Sequence, residues 1–238
     1  MICALIHGFG GDPAAWDDVV AAWQLPDWPR TIALPGHGGG PVLDTWDANL
    51  EAIADAVDSQ RCDCVVGYSL GARVALGLVA GGRVGHGVFI GVNPGITDDM
   101  RADRAQVDAA WARLLRTEGV AAFDDAWTKQ ALFATQARVP EAKRAARRER
   151  RLRHDPEQLA RSLEVMGLAA MPDYWSAVAP HRDRIALIAG ADDAKYVAIA
   201  EGLPSASFET IPDSGHDPTL EQPAVLAAAI ARAVQRLR

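Results

Sequence analysis

The chain has 238 residues, a net charge of −7 and a hydrophobic fraction of 49%, a size that suits one α/β domain with an insertion and a large core. The acidic balance excludes a global attraction to nucleic acid or to anionic membranes. No apolar run reaches transmembrane length and no basic start precedes a long apolar segment, so a cytoplasmic location is expected.

In chain order, Ile2–Ile6 reads as a first short strand, Ala14–Ala22 as a helix and Thr31–Leu34 as a second strand. A helix over Trp46–Asp58, a strand over Cys62–Val66 and a helix over Leu70–Ala80 follow, and then a strand over Gly87–Gly91. The segment 97–179 breaks this rhythm. It has no strand-like run, is rich in Ala, Arg and Glu, and holds Trp111, Trp127 and Trp175. It reads as about four helices inserted as a cap. Strands return at Ile185–Ala189 and Ser207–Ile211, and a helix over Pro223–Leu237 ends the chain. Alternating strands and helices predict a mostly parallel sheet of about six strands. The division is then a core of 1–96 and 180–238 and a cap of 97–179. Cys3, Cys62 and Cys64 fall in buried strands, are odd in number and match no zinc spacing, so reduced thiols are expected.

Gly67-Tyr68-Ser69-Leu70-Gly71 carries the chemistry. A G-x-S-x-G pattern between a strand and a helix is what a nucleophile elbow requires. A hydroxyl is weakly reactive and needs a base held by a third group, and in this arrangement the order is Ser, acid, His. His86, His154, His181 and His216 follow Ser69. His216 sits in the turn after the last strand, where the base belongs. Gly190-Ala191-Asp192-Asp193 ends the preceding strand and offers two carboxylates; the spacing from Gly190 favours Asp193, with Asp192 as the fallback. The first strand runs into His7-Gly8-Phe9-Gly10-Gly11, so the Phe9 and Leu70 amides are candidates for an oxyanion hole. His7 and His37 read as structural loop histidines.

Two basic features stand out. The run from Lys143 to Arg153 puts Arg144, Arg148 and Arg151 on one helix face. That face is either solvated or turned in part toward an anionic ligand. Arg73, one turn into the elbow helix, is either salt-bridged or ligand-binding, and position alone leaves both open.

With these residues in hand, the chain resembles the α/β-hydrolase superfamily. Within it, nearly the whole chain is similar to the 2-succinyl-6-hydroxy-2,4-cyclohexadiene-1-carboxylate synthases of menaquinone biosynthesis. The resemblance rests on Leu5-Ile6-His7-Gly8-Phe9, Leu34-Pro35-Gly36-His37-Gly38, the elbow through Arg73-Val74-Ala75-Leu76, and Asn93-Pro94-Gly95. Arg104 with Asp108, Trp127 with Leu132-Phe133-Ala134, Arg151-Leu152, and Gly190 with Asp193 and Lys195 complete it. It implies an α/β-hydrolase fold that lacks the full leading hairpin, since only six residues precede His7. It implies a lyase in which Ser69 acts as base, His216 activates it and Asp193 orients His216, while the Phe9 and Leu70 amides stabilise negative charge. Tyr68, Arg73, Arg104, Trp127 and Arg151 would bind an anionic small-molecule substrate. No cofactor, metal, nucleic acid or membrane is implied, and a monomer or weak homodimer is expected.

The chain departs from the family pattern at Ala72, at Gln130-Ala131, and at Leu168-Ala169-Ala170-Met171. The last change removes polar groups from the pocket side of the cap. Arg104 and Arg151 are expected to serve the substrate and to add little stability. The alternative activity is a carboxylesterase or other acyl or C–C bond hydrolase with Ser69 as nucleophile. A non-catalytic relative is a third reading, and the complete set of Ser69, Asp193 and His216 argues against it.

Overall fold

The computed structural model describes residues 1–238. Six strands form one all-parallel sheet: β1 Cys3–Ile6, β2 Arg30–Ile32, β3 Cys64–Tyr68, β4 His86–Ile90, β5 Ile185–Gly190 and β6 Ser207–Ile211. Their order across the sheet is β2-β1-β3-β4-β5-β6. The helices are α1 Asp17–Ala21, α2 Trp46–Ser59, α3 Leu70–Ala80, α4 Asp98–Trp127, α5 Glu141–Arg151, α6 Pro156–Met166, α7 Trp175–Val178, α8 Ala194–Glu201, α9 Pro218–Glu221 and α10 Pro223–Arg236. The central strands are apolar and buried along nearly their whole length, because a parallel sheet is covered on both faces. One face packs Ile6, Val65, Phe89 and Leu187 against Ile53 and Val57 of α2 and Val74 and Leu78 of α3. The other packs Leu5, Val66, Val88 and Ile188 against Val19 of α1 and Leu226, Ile230 and Val234 of α10. Each such side chain contributes about 1.5–3 kcal/mol of burial free energy.

Several boundaries differ from expectation, each for a local reason. The third strand is shifted, because pairing with β4 continues through Gly67 and Tyr68 up to the elbow, while Cys62 lies in a turn whose amide bonds Val57. The second strand stops at Ile32, where the chain leaves β1 for the His37 loop. The first helix is a 3-10 turn over Pro13–Trp16 followed by α1. A helix not read from the sequence, α8, follows β5; Asp193 caps it by accepting from the Tyr196 amide at 3.4 Å.

The insertion between β4 and β5 is helical, as expected. Helix α4 is broken at Gly119 (φ 78°, ψ 178°), a backbone conformation suited to glycine. A 3-10 stretch, Ala131–Arg138, joins it to α5. The insertion has its own apolar cluster, in which Ala112, Leu115 and Phe123 meet Leu159 and Leu163. The three cysteines are buried and unpaired. No helix is long and apolar enough to cross a membrane.

Candidate active site

The elbow follows from steric limits on its two glycines. A Cβ at Gly67 would lie 2.2 Å from the Gly71 carbonyl oxygen, and one at Gly71 would lie 2.2 Å from that of Ile6. Only hydrogen fits at either place, so strand and helix meet in a turn too tight for any other pair. Ser69 takes the strain, with φ 54° and ψ −109°, and its amide is fixed by Ile90 at 2.9 Å. A non-glycine residue held in such a region costs on the order of 1–3 kcal/mol and is characteristic of functional sites.

The structure brings the three sequence-predicted side chains together. The Ser69 hydroxyl donates to His216 Nε2 at 3.0 Å, and His216 Nδ1 donates to Asp193 Oδ2 at 2.7 Å. His216 and Asp193 are buried. Asp192 points away to Arg138 at 2.6 Å on the surface, so the fallback carboxylate has no contact with His216. The imidazole backbone is clamped by Glu221, which accepts from the amides of Gly215 at 2.9 Å and Asp217 at 3.3 Å.

The His7-Gly8-Phe9 loop lies over the nucleophile. A Cβ at Gly8 would stand 3.4 Å from the Ser69 Cβ and 2.8 Å from the Tyr68 ring. The Phe9 amide makes no backbone hydrogen bond, and the Leu70 amide starts α3, where no intrahelical acceptor exists. His7 holds the loop: its Nδ1 donates to the Gly8 carbonyl at 2.8 Å and its Nε2 accepts from the Leu34 amide at 3.2 Å. Burial lowers its pKa to about 4, so it is a neutral strut, as the sequence suggested. His37 is likewise buried, with its pKa lowered by desolvation.

A cavity of about 130 Å³ opens on Ser69 and His216. Arg73, Arg104 and Trp127 line it, as expected, and so do Gln130, Phe133 and Tyr196. Arg73 is the notable cation. Its Nη1 donates to the Met166 carbonyl at 3.0 Å and no carboxylate lies within salt-bridge distance, while desolvation lowers its pKa to about 10. Arg104 and Arg151 correct the sequence expectation on stability. Arg104 makes a forked pair with buried Asp108 at 2.7 Å, and Arg151 pairs with buried Asp124 at 2.5 Å and reaches the Gly10 carbonyl at 3.2 Å. A carboxylate with its buried counterion removed is costly, so both arginines hold the cap together whatever else they bind. Arg151 also lies on the other side of Ser69 from Arg104, with Tyr68, Gly8 and Gly11.

Two residues were missed. Tyr196 packs on the His216 ring with centroids 4.4 Å apart, and Arg147 pairs with Asp217. Tyr196 stands three residues beyond the acid, on the first turn of the helix that the sequence reading lacked. Arg147 shares a helix face with Arg144 and Arg151, so the basic run did contain the signal. Overhead, Trp127 stacks on Phe123 at 5.1 Å and meets Phe9 at 5.3 Å, forming an aromatic roof.

A model of the alpha/beta hydrolase family matches residues 4–229. The 2-succinyl-6-hydroxy-2,4-cyclohexadiene-1-carboxylate synthase of Enterobacter sp. (strain 638) is 35% identical, over 98% of this chain and 91% of that protein. The chain belongs to the alpha/beta hydrolase family, among the 2-succinyl-6-hydroxy-2,4-cyclohexadiene-1-carboxylate synthases. A family member from Escherichia coli O139:H28 is 32% identical, over 95% of this chain and 91% of its own length. The MenH structure from S. aureus covers 100% of this chain and 94% of its own, with a TM-score of 0.92 at 26% identity. A thermophilic esterase from Thermogutta terrifontis shares the fold, with a TM-score of 0.81 at 22% identity. The same fold thus occurs in an esterase, so the fold alone does not fix the reaction.

Proposed function

We infer that this chain is a carbon–oxygen lyase that eliminates pyruvate from 2-succinyl-5-enolpyruvyl-6-hydroxy-3-cyclohexene-1-carboxylate in menaquinone biosynthesis. The observation that carries the reading is Arg73. A guanidinium one turn beyond Ser69, desolvated and without a carboxylate, calls for an anionic ligand. The names of the synthases to which the chain is similar supply the ring carboxylate class.

The chemistry follows from the hydrogen-bond chain. Ser69 gives its proton to His216 Nε2 as its oxygen takes a ring proton, and Asp193 holds the imidazolium that forms. The carbon–hydrogen electron pair at C2 becomes the C2–C3 double bond, the C3–C4 pair moves to C4–C5, and the C5–oxygen bond to the enolpyruvyl group breaks. The leaving oxygen carries the charge away as an enolate, which becomes pyruvate on gaining at carbon one proton, balanced by the one that His216 gives up to return the triad to its starting state. The Phe9 and Leu70 amides face the developing negative charge. Arg73 and Arg104 hold carboxylates on the inner side, Arg151 lies on the outer side, and Tyr68 and Trp127 shape the walls. Atoms and electrons balance without a co-reactant. The reading carries a cytoplasmic enzyme working as a monomer or weak homodimer on a small anionic substrate.

The test is to incubate the protein with the enolpyruvyl substrate and measure pyruvate with lactate dehydrogenase. One pyruvate per ring diene formed is expected. Ring carboxylate consumed without pyruvate, or no consumption, would reject the reading.

A further inference from the structure

Ser69 is reached from two sides. Phe9, Trp127 and Phe133 line both the inner cavity, with Arg73 and Arg104, and a second space on the Gly8 side. That second space is a neck of about 40 Å³ walled by Gly8, Tyr68, Gln136, Arg147 and Arg151. The neck shares Thr128, Phe133, Gln136, Arg147 and Arg151 with a vestibule of about 580 Å³ between the end of α4 and α5. The vestibule therefore adjoins the neck that reaches the nucleophile, with these side chains lining both.

Its charge is unlike that of the whole protein. Lys129, Arg144, Arg147, Arg148 and Arg151 line it, against the carboxylates of Asp124, Asp125 and Glu141. Asp124 is held by Arg148 at 3.2 Å and by Arg151, Asp125 by Arg148 at 2.7 Å, and Arg147 is taken by Asp217. Lys129 and Arg144 have no carboxylate within salt-bridge distance; Arg144 only donates from Nε to the Val139 carbonyl at 3.1 Å. An acidic chain thus presents two free cations at the mouth of a passage to its reactive serine. Such a local field concentrates small anions.

We propose that this vestibule is a second anion site, the exit for the small 2-oxo acid released at Ser69, with Lys129 and Arg144 as its capturing charges. The inference rests on the lyase reading for the identity of the anion. The neck is narrow, so a three-carbon acid can pass with a side-chain shift of Phe133 or Gln136, whereas a ring with two carboxylate arms cannot. The neck also begins at the Gly8-Phe9 loop, the side on which the leaving oxygen gathers charge. The fragment that departs there has the passage in front of it, while the ring stays with Arg73 and Arg104. Pyruvate then leaves first.

Titrating pyruvate into the protein, followed by saturation-transfer NMR on its methyl group, tests this without turnover. Wild-type protein should bind it, and Lys129→Glu with Arg144→Glu should weaken binding about tenfold, as reversal of two accessible charges against a small anion does. Arg73→Met, on the inner side and with no carboxylate left stranded, should leave pyruvate binding within about twofold. In steady state, pyruvate should inhibit noncompetitively, as a first-released product does, with an inhibition constant raised in the double variant. Unchanged pyruvate binding in the double variant, or its loss in Arg73→Met, would overturn the vestibule site. Absence of pyruvate among the reaction products would instead reject the lyase reading, and the titration would still decide whether the vestibule takes small carboxylates.

Discussion

Arg147 of the cap is ion-paired with Asp217, the core residue that directly follows His216. Both side chains are largely removed from water, and Arg147 also donates to the Thr219 hydroxyl at 3.1 Å. Asp217 in turn accepts from Thr219 at 2.6 Å and from the Leu220 amide at 3.3 Å. One cap residue therefore anchors the loop that carries the imidazole. Arg147→Met should leave Asp217 as an unpaired buried charge and cost about 3 kcal/mol. Adding Asp217→Asn should restore most of that loss. Urea midpoints of the single and double variants check it; equal midpoints for wild type and Arg147→Met would show that the pair contributes nothing.

The strained backbone of Ser69 makes a prediction of opposite sign for stability and activity. Ser69→Ala and Ser69→Gly should each lower turnover by on the order of 10³-fold or more, because either removes the proton-transferring oxygen. Glycine tolerates φ 54° and alanine does not. Ser69→Gly should therefore be about 1 kcal/mol more stable than Ser69→Ala. Thermal melts of the two inactive variants read this directly, and a less stable glycine variant would contradict strain at the elbow.

Arg73 and Arg104 line one cavity yet should respond differently to removal. Arg73 has no carboxylate partner, so Arg73→Met should leave the melting temperature unchanged or raise it. The same change should lower kcat/KM roughly 10- to 100-fold, the worth of one charge-assisted contact. Arg104→Met strands the buried Asp108 carboxylate and should lower the melting temperature as well. Destabilisation by Arg73→Met with intact kcat/KM would make Arg73 a structural residue.

Acid should destabilise the protein partly through His7. Its folded pKa is lowered from 6.5 to about 4 by burial, so between these values the unfolded chain binds a proton that the folded chain refuses. The His7 contribution is therefore complete above pH 6.5 and is lost as pH falls toward 4, by up to about 1.4 kcal/mol per pH unit. His7→Gln, measured by urea unfolding at pH 7, 6 and 5, should show a shallower decline than wild type. An equal decline in both would remove His7 from the acid response.

Much of this was legible in the sequence because it is local. The elbow is spelled by Gly67, Ser69 and Gly71, and the distances at the two glycines explain why no other spelling works. Asp193 follows the apolar run of β5, which is buried throughout, and His216 follows the alternating, half-exposed run of β6, so their place at the carboxyl edge came with the topology. What was not legible depends on packing between distant segments. Arg104 and Asp108 stand four residues apart on α4, so spacing allows their pair but cannot tell a substrate arginine from one already committed, whereas Arg151 meets Asp124 only where α5 docks on α4. Helix α8 was missed because eight residues carry too little periodicity, and Tyr196 was lost with it. Arg147 lies on the face that was read, but its partner is in the catalytic loop, and only the docking of α5 brings them together.

The central claim is that this triad abstracts a proton from an anionic ring and does not attack an acyl group. The most direct measurement compares kcat/KM for pyruvate release from the enolpyruvyl cyclohexene carboxylate with kcat/KM for hydrolysis of short p-nitrophenyl esters, under one set of conditions. Neutral esters leave Arg73 unpaired and gain nothing from Arg104, so pyruvate release should be faster by about 10³-fold or more. Efficient ester hydrolysis with no pyruvate release would contradict the account and assign Ser69 the role of nucleophile.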